Sequence, residues 1–394
     1  MISNKMKEHV SKSSIIRAMF EEGKKLASIY GEENVFDFSL GNPNVEPPED
    51  IKKAVNEIMS EESPNLVHGY MSNSGYEDVR AKIAEHINKK YNLKLTENNL
   101  VMTCGAAGGL NIIFKTLLNP GDEVITFSPF FGEYENYVDN FGGKLVIVPS
   151  NTETFEPDLN ALEKSINAKT KAIIINSPNN PTGIVYSEKL IKDLSQLLDK
   201  KQEQFNTSIY LISDEPYREI AYDGVKVPYI LNYYRNSIVG YSYSKSLSLP
   251  GERIGYVVCS SDMDDFKDVM SALNVANRIL GFVNAPSLFQ RVIGKCLDSA
   301  VDVNIYKKNR DLLYNHLVKI GFSCIKPQGA FYLFPKSLIA DDVEFAKEAK
   351  KFNLLIVPGS SFKCPGHFRL SYCVSYDKIE KSLDSFDKLA KKYL

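Results

Sequence analysis

Short apolar runs alternate with longer amphipathic stretches through the middle of this chain of 394 residues. The apolar runs predict buried strands, and the stretches between them have the spacing of amphipathic helices. That spacing is clear over Gly109–Leu118, Leu159–Ile166 and Glu188–Lys201. The predicted strands are Asn99–Thr103, Glu123–Ser128, Lys144–Val148, Lys171–Asn176, Ile209–Ser213, Ile238–Ser242 and Ile254–Cys259. This alternation predicts an α/β fold with a large, mostly parallel sheet that is sandwiched by helices.

A different pattern begins at about Pro286. A long helical stretch continues through Leu317, and a closing helix is predicted over Asp377–Tyr393. The short strand-like runs between them are Ala330–Phe334, Leu354–Val357 and Phe368–Tyr372. Strands and helices that do not alternate regularly predict a smaller α+β domain in this part of the chain.

The arm before Pro47 contains no strand–helix unit of its own, so we expect it to pack on the C-terminal part or on a partner. The predicted division is therefore an arm that forms part of the small domain (1–46), a large domain (47–286) and a small C-terminal domain (287–394).

Composition and charge exclude several classes of protein. Lys plus Arg number 47 and Asp plus Glu 49, a net charge of −2 that gives no reason to expect nucleic acid or an anionic membrane as a partner. The six cysteines and five histidines show no metal-ligand spacing. No apolar stretch approaches the ~20 residues of a membrane span, and the polar start has no signal-peptide core. We therefore expect a cytoplasmic protein without a metal site.

Candidate ligand-binding residues follow the predicted strands, because ligands of open parallel sheets bind beyond the carboxyl ends of the strands. Gly105, Ala106 and Ala107 begin a helix whose backbone N–H groups can bind a phosphate, although a packing turn is an equally good interpretation. Phe131 follows the next strand and, taken alone, is more typical of a core aromatic. Asn180 lies in an Asn-Pro-Thr-Gly sequence, where two prolines fix its direction.

Two apolar runs end on groups of opposite charge. One ends on Asp214, which Tyr217 follows closely, and the other ends on Lys245. A cofactor with a carbonyl group needs an amine to bind it and an acid to hold its ring nitrogen, and these two residues could supply both. Arg253 and Arg369 lie beside apolar residues and are candidates for a phosphate clamp and a carboxylate fork, with structural ion pairs as the alternative.

With these residues the chain resembles, over nearly its whole length, the class I and II pyridoxal-phosphate aminotransferases of fold type I, which include aspartate aminotransferase. The matching sequences, in order, are Gly41-Asn42-Pro43, Tyr70–Gly75, Asn-Pro-Thr-Gly, Asp-Glu-Pro-Tyr, Ser-x-Ser-Lys, Gly-x-Arg-Ile-Gly, Pro327–Tyr332 and Arg369. Several motifs in matching order and spacing make the resemblance specific, and it assigns the large domain to cofactor binding.

The resemblance implies a role for each residue around pyridoxal 5′-phosphate. Lys245 would hold the cofactor as an internal aldimine, and Asp214 would pair with the pyridinium nitrogen so that the ring acts as an electron sink. Tyr217 would donate a hydrogen bond to the phenolic oxygen of the ring, and Phe131 would stack on the ring face. Asn180 would hold both that oxygen and the substrate.

The resemblance also implies a phosphate site and a substrate site. Tyr70 would reach the phosphate in the other subunit, which implies a homodimer with shared active sites. Arg369 would bind the α-carboxylate of the substrate, assisted by the backbone at Gly41. The residues implied to bind the phosphate within one chain are Gly105, Ala106, Ala107, Ser242 and Arg253.

The implied activity is the transfer of an amino group from an α-amino acid to a 2-oxo acid by a ping-pong mechanism, in amino acid metabolism. After the substrate displaces it, Lys245 would move the Cα proton. A pyridoxal-phosphate-dependent C–S β-lyase or a cyclising enzyme would use the same residues and stays an alternative. The sequence shows no DNA-binding pattern of the kind that a transcription regulator needs. It also lacks the Gly-rich fingerprint of a nucleotide-binding dehydrogenase.

The identity of the substrate is left open by the sequence. Ala107 lacks the side chain with which some relatives select acidic substrates, and Arg278 is a weak candidate for binding a second carboxylate. The aromatic residues expected near the cleft, Phe130, Tyr134 and Phe282, would suit aromatic and aliphatic substrates equally.

Overall fold

A central sheet of seven strands organises the computed structural model of the chain, which describes residues 2–11, 23, 28–29 and 31–394. The strands are β1 Phe36–Asp37, β2 Leu100–Thr103, β3 Glu123–Ser128, β4 Lys144–Pro149, β5 Thr170–Asn176, β6 Tyr210–Asp214, β7 Ser237–Ser242, β8 Gly255–Cys259, β9 Tyr332–Leu333, β10 Leu354–Leu355, β11 Val357–Pro358 and β12 Phe368–Ser371. The central sheet has the order β2-β8-β7-β6-β5-β3-β4. Every strand predicted for it is present, with ends displaced by at most one residue.

Strand direction in this sheet brings most candidate residues to one edge. Strands β3 to β7 pair in parallel, and β8 is antiparallel to both β7 and β2. Strand β2 therefore runs in the same direction as β7, and the carboxyl ends of β2, β3, β5, β6 and β7 lie at the same edge. The reversed strand β8 begins at that edge. The prediction of a mostly parallel sheet is confirmed.

Helices cover both faces of the sheet. The helices of the described residues, on this sheet and elsewhere, are α1 Asn4–Ser11, α2 Glu49–Glu61, α3 Pro64–His68, α4 Glu77–Tyr91, α5 Gly105–Leu117, α6 Glu133–Asp139, α7 Leu159–Ser165, α8 Glu188–Phe205, α9 Tyr243–Ser246, α10 Phe266–Ile279, α11 Ser287–Lys295, α12 Val303–Lys319, α13 Asp342–Lys350 and α14 Tyr376–Ala390. Helices α5 and α10 pack together on one face, and α11 packs between α2 and α4 on the other. Side chains that cap the helix N-termini set several of these starts, and they belong to Asp158, Ser187, Asp302, Asp341 and Ser375.

The long helix predicted from about Pro286 through Leu317 is two helices, so that prediction is wrong. Cys296 leaves the helical conformation and ends α11. Asp302 then accepts a hydrogen bond from the backbone N–H of Asn304 and starts α12. A new N-cap offers the first turn of a second helix its missing hydrogen-bond partner, which apolar periodicity alone does not reveal.

Two small sheets lie in the C-terminal part of the chain. Strands β11, β12 and β9 form an antiparallel sheet, and β1 pairs in parallel with β10. Part of the N-terminal arm therefore packs on the C-terminal part. Residues 1, 12–22, 24–27 and 30 of the arm lie outside the described residues. None of the helices described is long and apolar enough to cross a lipid bilayer.

Candidate active site

A cavity of about 290 Å³ lies at the edge of the central sheet where the parallel strands end. Residues at or just after the carboxyl ends of β2, β3, β5, β6 and β7, and residues of β9 and β12, contribute to it, although they are far apart in sequence. All but two of the predicted site residues line it: Gly41, Ala106, Ala107, Phe131, Asn180, Asp214, Tyr217, Ser242, Lys245, Arg253 and Arg369. Gly105 lies behind the lining, and Tyr70 lies outside the cavity.

Lys245 lies in the short helix α9, which follows β7 directly. The side chain of Ser242 accepts a hydrogen bond from the backbone N–H of Ser244 and so caps this helix. Lys245 Nζ donates to the carbonyl oxygen of Gly41 over 2.7 Å. Burial, assisted by the positive charge of Arg253, lowers the pKa of Lys245 to about 8. An amine with this pKa is partly uncharged near neutral pH and can act as a nucleophile or a base.

Asp214 ends β6 and is buried beneath the cavity. Its Oδ2 accepts a hydrogen bond of 2.6 Å from the hydroxyl group of Tyr134, and its Oδ1 is buried with no partner among the described residues. Burial raises the pKa of Asp214 to about 7. A buried carboxylate oxygen without a donor is costly, so a cationic N–H group at this point would satisfy it and favour its ionised form.

Asn176 joins the end of β6 to the Asn-Pro-Thr-Gly segment. Its amide nitrogen donates to the carbonyl oxygen of Asp214 at 2.7 Å, and its Oδ1 accepts from the backbone N–H of Asn180 at 2.7 Å. The side chain of Asn180 is thereby held in the cavity, where its Oδ1 accepts a hydrogen bond from Arg369. The loop is rigid because side chains, not only backbone turns, satisfy its polar groups.

Arg369 lies on β12 and is almost completely buried. Its guanidinium donates to Asn180 at 3.0 Å and to the carbonyl oxygen of Ser39, and Nε has no partner among the described residues. The guanidinium carbon lies 4.7 Å from the ring centre of Tyr332 and 4.8 Å from that of Phe362. No carboxylate in the described part of the chain forms an ion pair with Arg369, so its charge is available to a carboxylate ligand.

Tyr217 and Tyr332 form a hydroxyl pair in the cavity wall, with 2.8 Å between their oxygens. The hydroxyl group of Tyr332 also lies close to Gly41. A Cβ atom on Gly41 would lie 2.1 Å from Tyr332 Oη, so only glycine fits at that position. This close approach keeps the carbonyl oxygen of Gly41 within reach of Lys245.

The N-terminus of α5 faces the cavity beside Arg253. Gly105 has φ +69°, and a Cβ there would lie 3.0 Å from a terminal nitrogen of Arg253. Gly105 therefore serves the site by leaving room for this side chain. The first turn of α5, with Ala106 and Ala107, joins the hydroxyl group of Ser242 and the guanidinium of Arg253 around one part of the cavity. Such a set of donors suits a phosphate group.

Several aromatic residues lie elsewhere than their sequence positions suggested. Phe130, Tyr134 and Phe282 all lie outside the cavity lining. Phe130 and Tyr134 are buried, and Phe282 is partly buried. Phe131 does line the cavity, and its ring meets that of Tyr134 edge-on at 5.7 Å. Arg278 is exposed at the end of α10 and is not part of the lining.

Sequence analysis missed the contacts that three residues make at the site. Tyr134 partners the buried acid, Asn176 positions Asn180, and Tyr332 pairs with Tyr217. Tyr332 lies in one of the matching motifs, and Asn176 ends a predicted strand, so both had a signal that was not used. Tyr134 had none beyond its aromatic character.

The chain is similar to known aminotransferases in sequence and in structure. A family model described as "Aminotransferase class I and II" matches residues 33–386. The probable aspartate aminotransferase of Methanocaldococcus jannaschii is 33% identical over 394 residues, covering 97% of this chain and 98% of that protein. A crystal structure of an amino transferase from Eubacterium rectale has a TM-score of 0.97 at 48% identity and covers 100% of this chain and 99% of its own. The aspartate aminotransferase of Thermus thermophilus with maleate has a TM-score of 0.88 at 26% identity, covering 99% and 100%.

Proposed function

The chain belongs to the class I and II aminotransferases and is a transaminase, and from this premise we propose that it uses pyridoxal 5′-phosphate to move an amino group from an α-amino acid to a 2-oxo acid by a ping-pong mechanism. The observation that carries the proposal is a buried acid with an unpartnered oxygen, Asp214, in the same cavity as the buried amine of Lys245. When bound, this cofactor supplies an electron sink that makes the Cα proton of the substrate acidic.

Asp214 is the residue that we expect to hold the pyridinium nitrogen. Its free Oδ1 would accept the N–H of the ring, while Tyr134 occupies Oδ2 and fixes the carboxylate plane. An adjacent cation lowers the pKa of a buried acid, so the carboxylate would be ionised in the complex. Tyr217 and Asn180 would donate to the phenolic oxygen, and Phe131 would cover the ring face.

The phosphate of the cofactor fits the donors around the start of α5. This 13-residue helix presents backbone N–H groups of Ala106 and Ala107 to the cavity. Ser242 and Arg253 add a hydroxyl group and a guanidinium, and Gly105 leaves the space that Arg253 occupies. We therefore propose that these residues hold the phosphate, with backbone donors at the position of Ala107.

Lys245 is the proposed point of covalent attachment for the aldehyde of the cofactor. Its lowered pKa suits both the attack on a carbonyl carbon and the later removal of a proton from Cα. The carbonyl oxygen of Gly41 holds Nζ over the cavity and leaves it free to move. One residue would thus bind the cofactor and then move the proton.

Arg369 is the proposed anchor of the substrate. Two donors of its guanidinium are fixed by Asn180 and Ser39, so its orientation is set before a ligand arrives. A preorganised guanidinium with no carboxylate partner favours the α-carboxylate that amino acids and 2-oxo acids share. The C–S β-lyase interpretation is not favoured, because the named relatives are aminotransferases.

We further propose that the active unit is a homodimer in which Tyr70 completes the phosphate site of the partner. Tyr70 is 93% exposed, although it is a large aromatic residue in a segment that the family resemblance places at the site. Within one chain it contacts no part of the cavity, so a second copy is the surface that would bury it.

The test is an absorbance titration of the purified protein with single amino acids, without a 2-oxo acid acceptor. We expect one or a few amino acids to convert the bound cofactor to its amine form in one turnover, with one equivalent of the matching 2-oxo acid. Lys245→Ala should show neither conversion nor covalent attachment, and Lys226→Ala, at an exposed lysine, is the matched control. Release of ammonia and pyruvate without conversion of the cofactor would contradict the proposal.

A further inference from the structure

A second cavity lies on the other side of the segment that carries Lys245. It has a volume of about 420 Å³ and lies between the end of α4, strands β7 and β8, and the turn after α11. Ser246 and Leu247, which directly follow Lys245, line it. The two cavities share no lining residue, because successive side chains at the end of β7 point to opposite sides.

Tyrosine rings form the walls of this second cavity. Tyr91 and Tyr229 are stacked, with ring centres 4.2 Å apart and planes 10° apart. Tyr241 and Tyr256 are also stacked, at 4.9 Å and 19°, and Tyr243 meets Tyr241 edge-on at 5.1 Å. Walls made of aromatic faces and edges favour a planar ring over a flexible aliphatic molecule.

Three of these tyrosines have hydroxyl groups without a protein partner. Tyr229 Oη is buried and makes no hydrogen bond, and the hydroxyl groups of Tyr243 and Tyr256 make none with any residue that the structure describes. All three side chains are more than nine-tenths buried. Tyr234, which is equally buried, instead donates to the carbonyl oxygen of Ile209 at 2.7 Å. Tyr229 Oη is closed off even from the cavity, whereas the hydroxyl groups of Tyr243 and Tyr256 are open to it. A hydroxyl group that faces a cavity without a protein partner can bind a ligand with polar atoms.

The charges around this cavity nearly cancel. Lys89, at the exposed rim, is the one lining cation with no ion pair among the described residues. An anion such as a phosphate would therefore find no buried cation to bind it, and an uncharged ligand fits better. The lining residues that pair with a nearby opposite charge are His86, Lys90, Arg218, Glu219 and Asp298.

We propose that this cavity is a second binding site, for an uncharged planar aromatic molecule with hydrogen-bonding atoms on its ring. The tyrosine rings of the wall bind the face and edges of the ligand ring, and the hydroxyl groups of Tyr243 and Tyr256 meet its polar atoms. A bound molecule contacts Ser246 and Leu247, and so lies against the segment that positions Lys245.

The probe for this site is 2-aminopurine, which is uncharged at neutral pH, planar and rich in hydrogen-bonding atoms. Equilibrium dialysis of the cofactor-loaded protein, with free probe measured by fluorescence in the protein-free chamber, gives the binding curve. We expect saturable binding of one probe per chain. Tyr256→Phe should weaken it about five- to tenfold, the loss of one hydrogen bond, and Tyr234→Phe should leave it unchanged.

Two outcomes overturn the proposal directly. One is the absence of saturable binding up to about 5 mM probe, because a site formed by these residues should bind the probe more tightly than that. The other is equal binding by Tyr256→Phe and the wild type, which would place the probe elsewhere.

Thermal unfolding supplies the check on folding and on bound water. Tyr234→Phe should lower the midpoint, because it breaks the hydrogen bond to Ile209. Tyr256→Phe should not lower it, because its hydroxyl group has no protein partner to lose. An equal loss of midpoint in both variants would mean that ordered water already satisfies Tyr256, and the cavity would then be a water site only.

Discussion

Asp214 is the residue whose ionisation is most sensitive to what the site contains. Without a cation, burial sets its pKa at about 7, above the ordinary value of 3.8. The carboxyl group is buried completely, and its single donor, Tyr134, opposes this shift but does not cancel it. A bound pyridinium would reverse the balance, so the protonation of one side chain reports whether the site is loaded.

The first prediction concerns the pH dependence of stability in the cofactor-free protein. Because the folded state binds the proton of Asp214 more tightly than the unfolded state, this group stabilises the fold below pH 3.8 and loses that contribution as the pH rises to about 7. Across that window, Asp214 should make the free energy of unfolding of the wild type fall by up to about 1.4 kcal/mol per pH unit. We expect this fall to be absent in Asp214→Asn.

Urea unfolding at several pH values measures this effect, with Asp262→Asn at an exposed aspartate as the control. Parallel pH profiles for the wild type and Asp214→Asn would show that Asp214 has an ordinary pKa in the folded protein. Loading with the cofactor should abolish the difference in slope, since Asp214 would then be ionised in the folded state.

The second prediction concerns Arg369. Arg369→Lys should lower kcat/KM for an amino acid about 100-fold, mainly through KM, because an ammonium cannot hold both Asn180 and a bidentate carboxylate. Steady-state kinetics with a monocarboxylic amino acid measures it, and Arg278→Lys, at an exposed arginine, is the matched control. An unchanged KM in Arg369→Lys would move the carboxylate site elsewhere.

Sequence motifs located most of the candidate site, but not the contacts that hold it. Lys245, Asp214 and Asn180 follow strand ends, and the rule for parallel sheets brings such residues together. Tyr134 reaches Asp214 across 80 residues of sequence, and Tyr332 reaches Tyr217 across 115. No local pattern encodes a hydrogen bond of this kind, because it depends on how separate elements pack.

At the scale of elements, apolar runs predicted the central strands well because all but the edge strand β4 are mostly buried and the runs end in Gly, Pro or polar residues. The hydrophobic pattern of a strand does not reveal whether the strand pairs in parallel or antiparallel with its neighbours. Strand β8 is antiparallel, and this reversal brings Arg253, which precedes it, to the same edge as Lys245. A parallel β8 would have placed this arginine at the opposite edge of the sheet.

The third prediction tests the contact between the segment at Gly41 and β9. Gly41→Ala places a methyl group 2.1 Å from Tyr332 Oη, so one of the two elements must move. We expect a loss of about 1–3 kcal/mol in the free energy of unfolding, together with lower turnover because the carbonyl oxygen at Gly41 leaves Lys245.

Denaturant unfolding and turnover are both measured for this variant. Gly251→Ala is the matched control, because a Cβ there meets nothing within 4 Å. Wild-type stability in Gly41→Ala would mean that Tyr332 moves aside freely and that the hydroxyl pair is not rigid.

At the scale of the whole molecule, the division into an arm (1–46), a large domain (47–286) and a small domain (287–394) stays a prediction. The pairing of β1 with β10 gives the arm a place on the C-terminal part, as this division requires. The candidate site draws on all three segments, through Gly41, Lys245 and Arg369. Any movement of the small domain would therefore change the distance between the substrate anchor and the amine.

The last prediction concerns the proposed dimer and its shared sites. If Tyr70 acts in the partner, a chain with Tyr70→Ala and a chain with Lys245→Ala are each defective in both sites of their own dimer. A mixed dimer has one site with Lys245 from the first chain and Tyr70 from the second, and that site is intact.

Unfolding and refolding the two variants together should therefore restore activity to about one quarter of the wild type in an equimolar mixture, since half of the dimers are mixed and each has one intact site of two. Sedimentation of the wild type gives the assembly state independently. Tyr70→Ala alone must lower turnover at least about tenfold, so that the activity regained in the mixture is measurable. A loss of this size is expected when a contact with a phosphate is removed. Activity of the mixture equal to the mean of the two variants would place Tyr70 outside the partner's site, while a monomeric wild type would remove the shared site altogether.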